Sequence, residues 1–182
     1  TARRTPGLRE FLSEAKFKPR PRYEAGAYFG LPRQRRNGLE GEQLPQPTLA
    51  DRECRPLLLD EALGEGYALI GFAVDPRQSL SAADLQQLAQ LNTRYLALYP
   101  AGGRPQGKAA ASTPAGLSEW EDMSGECIRR FREAGYAEGA VAIVRPDRFV
   151  FAMARPGSAP AAVHSLLEQL GLQTATRQQE AS

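Results

Sequence analysis

Tyr67-Ala68-Leu69-Ile70-Gly71-Phe72-Ala73-Val74, then Ser81 to Leu91, then Arg94-Tyr95-Leu96-Ala97-Leu98-Tyr99: these three pieces decide the fold. The first is a near-continuous apolar run of strand length, the pattern of a strand buried on both faces. The second opens with Ser81 and Asp84 three positions apart, a capping-box spacing, and places Leu85, Leu88 and Leu91 on one helical face. The third is again strand-like. Strand, helix and strand in this order make a βαβ unit, so the two strands are expected to run parallel.

Working outward, Leu59-Asp60-Glu61-Ala62-Leu63-Gly64 reads as one helical turn stopped by glycine. Pro100 to Gly116 is rich in Gly, Pro, Ala and Ser and is expected to be a mobile surface loop. Trp120, Met123, Cys127, Ile128 and Phe131 then fall at helical spacing up to Gly135, although Gly125 weakens the middle of that helix. Ala140–Val144 and Phe149–Ala154 are apolar strands joined by Arg145-Pro146-Asp147-Arg148, with proline set for a type I turn. Ser158 is placed to cap a last helix carrying Val163, Leu166, Leu167 and Leu170 and ending at Gly171. The resulting order, βαβ-α-ββα, is that of an α/β thioredoxin-like core, here with an extended N-terminal arm.

That arm has its own chemistry. Residues 1–37 hold ten Lys/Arg against three Asp/Glu, a charge of +7, whereas the remainder of the chain is −5. Leu8, Phe11, Leu12 and Ala15 give a short amphipathic helix with no apolar partner nearby. From Phe17 to Pro47, prolines and glycines recur too often for regular structure. The expected division is a helix at 1–16 belonging to something upstream, a basic linker at 17–50, the folded domain at 51–172 and a fraying tail at 173–182.

The 182 residues contain 2 cysteines and 1 histidine. Zinc sites, Ser-His-Asp triads and disulfide frameworks are hard to assemble from that inventory. Thioredoxin-type redox chemistry needs a thiol at the start of the first core helix. There the sequence reads Asp75-Pro76-Arg77-Gln78-Ser79-Leu80. Cys127 lies on an apolar stripe and reads as an inert packing residue. Cys54, between Glu53 and Arg55, is the only candidate for a reactive thiol. His164 sits beside an apolar stripe with no carboxylate in the sequence placed to orient it. Gly64-Glu65-Gly66 lacks the third glycine of a dinucleotide fingerprint, and Gly107-Lys108 lacks the hydroxyl of a phosphate loop. Asp60-Glu61 and Glu121-Asp122 are adjacent pairs that diverge on a helix. No catalytic, cofactor-binding or metal-binding residue is assigned. No apolar run is long enough to span a bilayer and no leader opens the chain, so a cytoplasmic protein is expected, with neither membrane nor nucleic acid as partner.

A resemblance supplies what the motifs do not. Phe17-Lys18-Pro19-Arg20-Pro21-Arg22-Tyr23 with Gly26, Leu44-Pro45-Gln46-Pro47, the Leu59–Gly71 stretch and above all Val144-Arg145-Pro146-Asp147-Arg148-Phe149-Val150 resemble the C-terminal region of FAD-dependent aromatic-ring monooxygenases, closest to 3-(3-hydroxyphenyl)propionate hydroxylases. The likeness runs from about Phe11 to Leu170; the loop near Lys108 and the cluster Arg33, Arg35 and Arg36 depart from it. It implies a parent enzyme whose upstream portion holds FAD, uses NADH or NADPH and hydroxylates a phenolic substrate. It implies for this chain a thioredoxin-like domain without redox cysteines that packs on the flavin domain or on another subunit of a homo-oligomer. None of the family's flavin- or substrate-binding residues has a counterpart here. The interface candidates are Arg20, Arg22, Arg33, Arg35, Arg36 and Arg145, with Pro146 and Asp147 as turn residues. Two alternatives stand beside this: a stand-alone thioredoxin-fold redox protein using Cys54, and an anionic-ligand module using the Arg33–Arg36 cluster.

Overall fold

The structure, a computed structural model, describes residues 38–105 and 115–172. The helix expected at 8–15, Arg20, Arg22, Arg33, Arg35, Arg36, Lys108 and the tail from Gln173 lie outside the described residues.

The decisive stretch folds as read. Strand β3 (Ala68–Phe72) is buried along its whole length. It pairs in parallel with β4 (Arg94–Pro100), Ile70 opposite Leu96, through the crossover helix α2 (Ala82–Gln90). Its other neighbour is the antiparallel β6 (Val141–Val144), which forms a hairpin with β7 (Val150–Ala154). Period-two alternation sends Ala68, Ile70 and Phe72 to one core and Leu69 to the other. The first core is closed by α1 (Leu59–Leu63) and α3 (Glu126–Glu133), the second by α2 and α4 (Ala159–Gln169).

Three more strands extend this sheet. β5 (Leu117–Asp122) adds in parallel beside β4, and the hairpin β1 (Thr48–Ala50) and β2 (Pro56–Leu58) adds beyond it, giving the order β2-β1-β5-β4-β3-β6-β7. β5 corrects the helix read across 120–131: Trp120 lies on a strand, Met123 is exposed in the turn, and only Cys127, Ile128 and Phe131 face the core from a helix. Gly125 is the start of that helix, with φ of 69°, where glycine is at no steric disadvantage. Asp122, fully buried, accepts from Gly125 N at 2.8 Å and Ile128 N at 3.2 Å, so it caps α3 from the end of β5. Glu121 points to the opposite face of that strand, where its carboxylate accepts from Gly102 N.

The linker read at 17–50 ends well before residue 50. Leu39, Leu44 and Leu49 are buried in the first core. Gly41 N donates to Val150 O and Val150 N to Glu42 O, so residues 40–44 run along the outer edge of β7 and cover it. Arg130 of α3 holds Glu42 at 2.6 Å. The expected surface loop after β4 is likewise anchored at its start: Arg104 is buried and donates to Ala50 O at 2.9 Å.

Helix ends follow local rules, with one change. α2, α3 and α4 each close with the paired backbone bonds of a Schellman motif, through Asn92, Gly135 and Gly171 respectively. The change is at Ser158, whose hydroxyl turns back to Arg155 N and O and caps the short 3₁₀ turn Pro156–Ser158, leaving α4 without a side-chain cap.

The chain reverses tightly after β3. A Cβ on Gly71 would lie 2.0 Å from Val74 O, and Ala73 has φ of 55°. Gly71→Ala is therefore expected to cost about 2–4 kcal/mol, since backbone must move; thermal unfolding measures it. Cys54 occupies the left-handed position of the β1–β2 turn, with φ of 58°. Cys54→Gly is expected to raise stability by about 1 kcal/mol by relieving that conformation, read as an upward shift of the denaturant midpoint.

Candidate functional site

The C-terminal ends of β3, β4 and β5 form one mouth, the place where open α/β sheets take ligands and where a thioredoxin-like core carries its thiol. In this chain the turn leaving β3 is filled by an ion pair. Arg77 Nη2 and Nε lie 2.7 and 2.9 Å from the Asp75 carboxylate, and Arg77 N also donates to Asp75. The same guanidinium donates to Ala115 O at 2.7 Å and lies 5.6 Å from the centre of the Tyr95 ring. Burial acts to raise the Asp75 carboxyl, but its hydrogen bonds from Arg77 and the charge of Arg77 prevail and hold it below the ordinary value. The turn is thus a structural clasp, from β3 across to the start of β5. A pyrophosphate there would meet the Asp75 carboxylate, and no glycine between Ala73 and Ser81 allows close backbone approach, so the turn does not fit a dinucleotide.

At the next position along the chain, the capping box of α2 is complete: Asp84 N donates to Ser81 Oγ at 3.1 Å and Ser81 N to Asp84 Oδ2 at 3.0 Å. Asp84 does more than the spacing implied. Its Oδ1 lies 2.7 Å from His164 Nε2 on α4, so α2 and α4 are joined through one buried carboxylate. This corrects the reading of His164 as a histidine with no carboxylate to orient it. Burial acts to raise the Asp84 carboxyl, but the bonds from Ser81 and the interaction with His164 prevail and hold it low.

Neither cysteine reaches the mouth. Cys127 is buried on α3, its Sγ 3.6 Å from Pro45 O, and burial pushes its thiol well above the ordinary value, with Asp122 and Glu126 adding to the effect. Cys54 is exposed on the β1–β2 turn. Ala50 pairs with Glu121, and Arg52 of the turn bonds Glu119 further back along β5, so that turn points away from the mouth.

The hairpin singled out in the sequence lies at the opposite end of the sheet from the mouth. Arg148 N donates to Arg145 O, Arg145 N to Phe149 O, and Arg148 takes φ of 71°, a type I turn followed by a left-handed residue. Pro146 and Asp147 occupy its centre, and Phe149 N donates to Asp147 Oδ1. Arg145 pairs with Asp147 at 2.7 Å within the turn, and Arg148 ties the turn to Asp60 of α1 at 2.7 Å. The sequence reading missed Arg77 as a tie to Ala115 O, Asp84 as a bridge to His164 and Arg148 as a tie to Asp60, because these partners lie 38, 80 and 88 positions away.

Beside the mouth, a shallow hollow of about 520 Å³ is lined by Phe72, Arg132, Gly135, Tyr136, Ala137 and Glu138. Among the described residues no group of three or more His, Cys, Asp or Glu side chains is placed to hold a metal, and no helix is long and apolar enough to cross a membrane.

Residues 41–169 match the family model of the HcaD C-terminal domain. The chain belongs to that family. Over 171 residues it is 29% identical to the 3-(3-hydroxy-phenyl)propionate/3-hydroxycinnamic acid hydroxylase of Klebsiella pneumoniae (strain 342), matching 93% of this chain and 29% of the hydroxylase. The chain thus spans less than a third of that relative's length. Among solved structures it is similar to the flavin-dependent monooxygenase PieE, in complex with FAD and substrate, with a TM-score of 0.54 and 19% identity over 84% of this chain and 25% of that one. It is also similar to the peroxidoxin BcpB of Mycobacterium tuberculosis, with a TM-score of 0.52 and 17% identity over 72% of this chain and 97% of that one. The fold is thioredoxin-like, as the element order implied.

The Asp84 contact fixes a pH dependence. A carboxyl held low in the folded state contributes stability that is fully present above its unfolded value, near 3.9, and is lost as pH falls through the folded value. Asp84→Asn is expected to be less stable than the parent at neutral pH and to converge on it below about pH 4, as read from urea midpoints across that range. Arg77→Ala leaves the half-buried Asp75 without its ion-pair partner, with an expected cost of about 1–3 kcal/mol, measured in the same way at pH 7.

Proposed function

We propose that this chain is a non-catalytic C-terminal domain of an FAD- and NAD(P)H-dependent aromatic hydroxylase of the 3-(3-hydroxyphenyl)propionate hydroxylase kind, and that its work is packing: against the upstream flavin portion, or between subunits of a homo-oligomer. One observation carries the reading. The turn at which this fold usually does chemistry holds the Asp75–Arg77 clasp in place of a thiol, in a chain that matches less than a third of a flavin hydroxylase's length. FAD and the nicotinamide belong to the upstream portion of such an enzyme, in the cytoplasm, and the reactive atoms lie outside this chain. The division of labour proposed is a short helix at 1–16 from the end of the catalytic portion, a basic connection, and the folded domain. Arg20, Arg22, Arg33, Arg35, Arg36 and Arg145 remain candidates for contact with the partner.

The redox reading through Cys54 has less support, because that thiol stands on a turn remote from the mouth and no second described cysteine is exposed to resolve it. The anionic-ligand reading rests on Arg33 to Arg36, outside the described residues.

The purified chain is expected to be colourless, to take up no FAD on titration and to leave NADH and NADPH unoxidised. Stoichiometric retained flavin would overturn the proposal. Thiol-dependent turnover of a peroxide or disulfide that disappears in Cys54→Ser would establish the redox reading instead.

A further inference from the structure

The arginines of this domain are almost all paired internally. Arg52, Arg77, Arg104, Arg130, Arg145 and Arg148 each hold a carboxylate within the chain, as do Arg55 and Arg129, and Arg94 donates to Ala62 O. Two differ: Arg132 lines the hollow beside the mouth, and Arg155 adjoins it through the ring of Tyr136, which also lines it. The Arg132 guanidinium lies 5.6 Å from the centre of the Phe72 ring, and that of Arg155 lies 6.0 Å from the centre of the Tyr136 ring. Neither has an acidic partner among the described residues. Both are exposed, and the hollow beside Arg132 is lined in part by the small residues Gly135 and Ala137. Stacking on a ring holds an arginine in place while leaving its outer N–H groups open to a carboxylate. Ordered, unpaired arginines around a hollow of small residues are a common form of interface anchor.

The position of the hollow says what it faces. Tyr136 Oη donates to Met153 O at 3.0 Å, and the Glu40 carboxylate accepts from Met153 N at 3.2 Å. The chain therefore enters the domain next to the hollow, and all of the polypeptide ahead of residue 38 is tethered there. A tethered domain meets nearby surface at high effective concentration. The surface is concave, so an identical copy presenting the same hollow does not fill it; a projection does.

We propose that this hollow is the seat of the domain that precedes this one in the hydroxylase, and that the partner inserts an acidic projection whose carboxylates pair with Arg132 and Arg155. Glu138, on the same rim, repels a carboxylate on its side and so directs the projection toward the two arginines. This rests on the packing role proposed above and assigns that role a surface and a partner chemistry.

The test is calorimetric titration of the full chain with the FAD-containing portion of the Klebsiella pneumoniae hydroxylase that precedes the matched region, its bound flavin reporting that it is folded. Binding is expected, weakening as salt rises, and falling about tenfold or more in the Arg132→Glu, Arg155→Glu double variant. Arg55→Glu, on the distant β1–β2 turn, is expected to bind as the parent does, and all variants are checked for unchanged thermal unfolding. Binding that ignores the double variant overturns the assignment of the surface and leaves the packing role standing. Absence of any binding overturns both. Self-association of the chain that the double variant abolishes gives the surface to a second copy and overturns the proposal.

Discussion

Everything in this domain is arranged around β3. A strand with apolar cover on both faces and hydrogen-bonded neighbours on both edges has no freedom left, and each constraint propagates. Its parallel partner requires a crossover, which fixes α2 and with it the second core. Its antiparallel partner fixes the β6–β7 hairpin and, through β7, the path of residues 40–44. The backbone reversal at Gly71–Val74 then turns the chain back over the sheet, where Arg77 reaches Tyr95 and Ala115 at the starts of β4 and β5. Full burial of a leucine or isoleucine side chain is worth about 1.5–3 kcal/mol, and Leu69, Ile70 and Phe72 are all solvent-inaccessible. The strand order is therefore set by burial before any polar contact acts.

The polar contacts locate the extensions. The segment along β7 is pinned by Arg130 to Glu42, the β1–β2 turn by Arg52 to Glu119, the start of the β4–β5 loop by Arg104 to Ala50 O, and the β6–β7 turn by Arg148 to Asp60. Exposed ion pairs contribute little, about 0–1 kcal/mol. The pins that matter are those with both partners mostly shielded, Arg130–Glu42 and Arg77–Asp75. The first joins α3 to the segment along β7, and the second holds the Arg77 guanidinium where it also reaches Ala115 O. The second core has a different tie, the carboxylate of Asp84 shared between its own helix and His164.

The sequence makes the βαβ unit, the β6–β7 hairpin and the last helix legible because each is specified locally, by a capping box, a proline turn or a continuous stripe. β5 is hidden for a physical reason. Leu117 to Asp122 carries charge on its outer face, and Trp120 and Met123 happen to fall in helical phase with Cys127 and Phe131, so one period appears to run through a strand, a turn and a helix. Glycine at 125 looks like a flaw in that helix and is the cap residue just before it. The segment 39–50 is hidden because prolines disguise it: Pro45 and Pro47 look like linker, yet edge cover demands few donors and Leu39, Leu44 and Leu49 supply the burial. Asp84 is legible as a cap but not as a bridge, since His164 is eighty positions away. A separation of 88 positions hides Arg148 from Asp60.

In this scaffold an ion pair stands in the turn where a thioredoxin-like core carries its thiol. A thiol there must be partly exposed and its surroundings electropositive to be of use. Arg77 is electropositive, but it is spent on Asp75, on Ala115 O and on the Tyr95 ring, which closes the turn. The charge left open lies on the other face of the sheet, on Arg132 and Arg155 over Phe72 and Tyr136 of the first core. Arg77 is shielded and holds an internal carboxylate, whereas Arg132 and Arg155 are exposed with no acidic partner among the described residues, and the packing role proposed above rests on that difference.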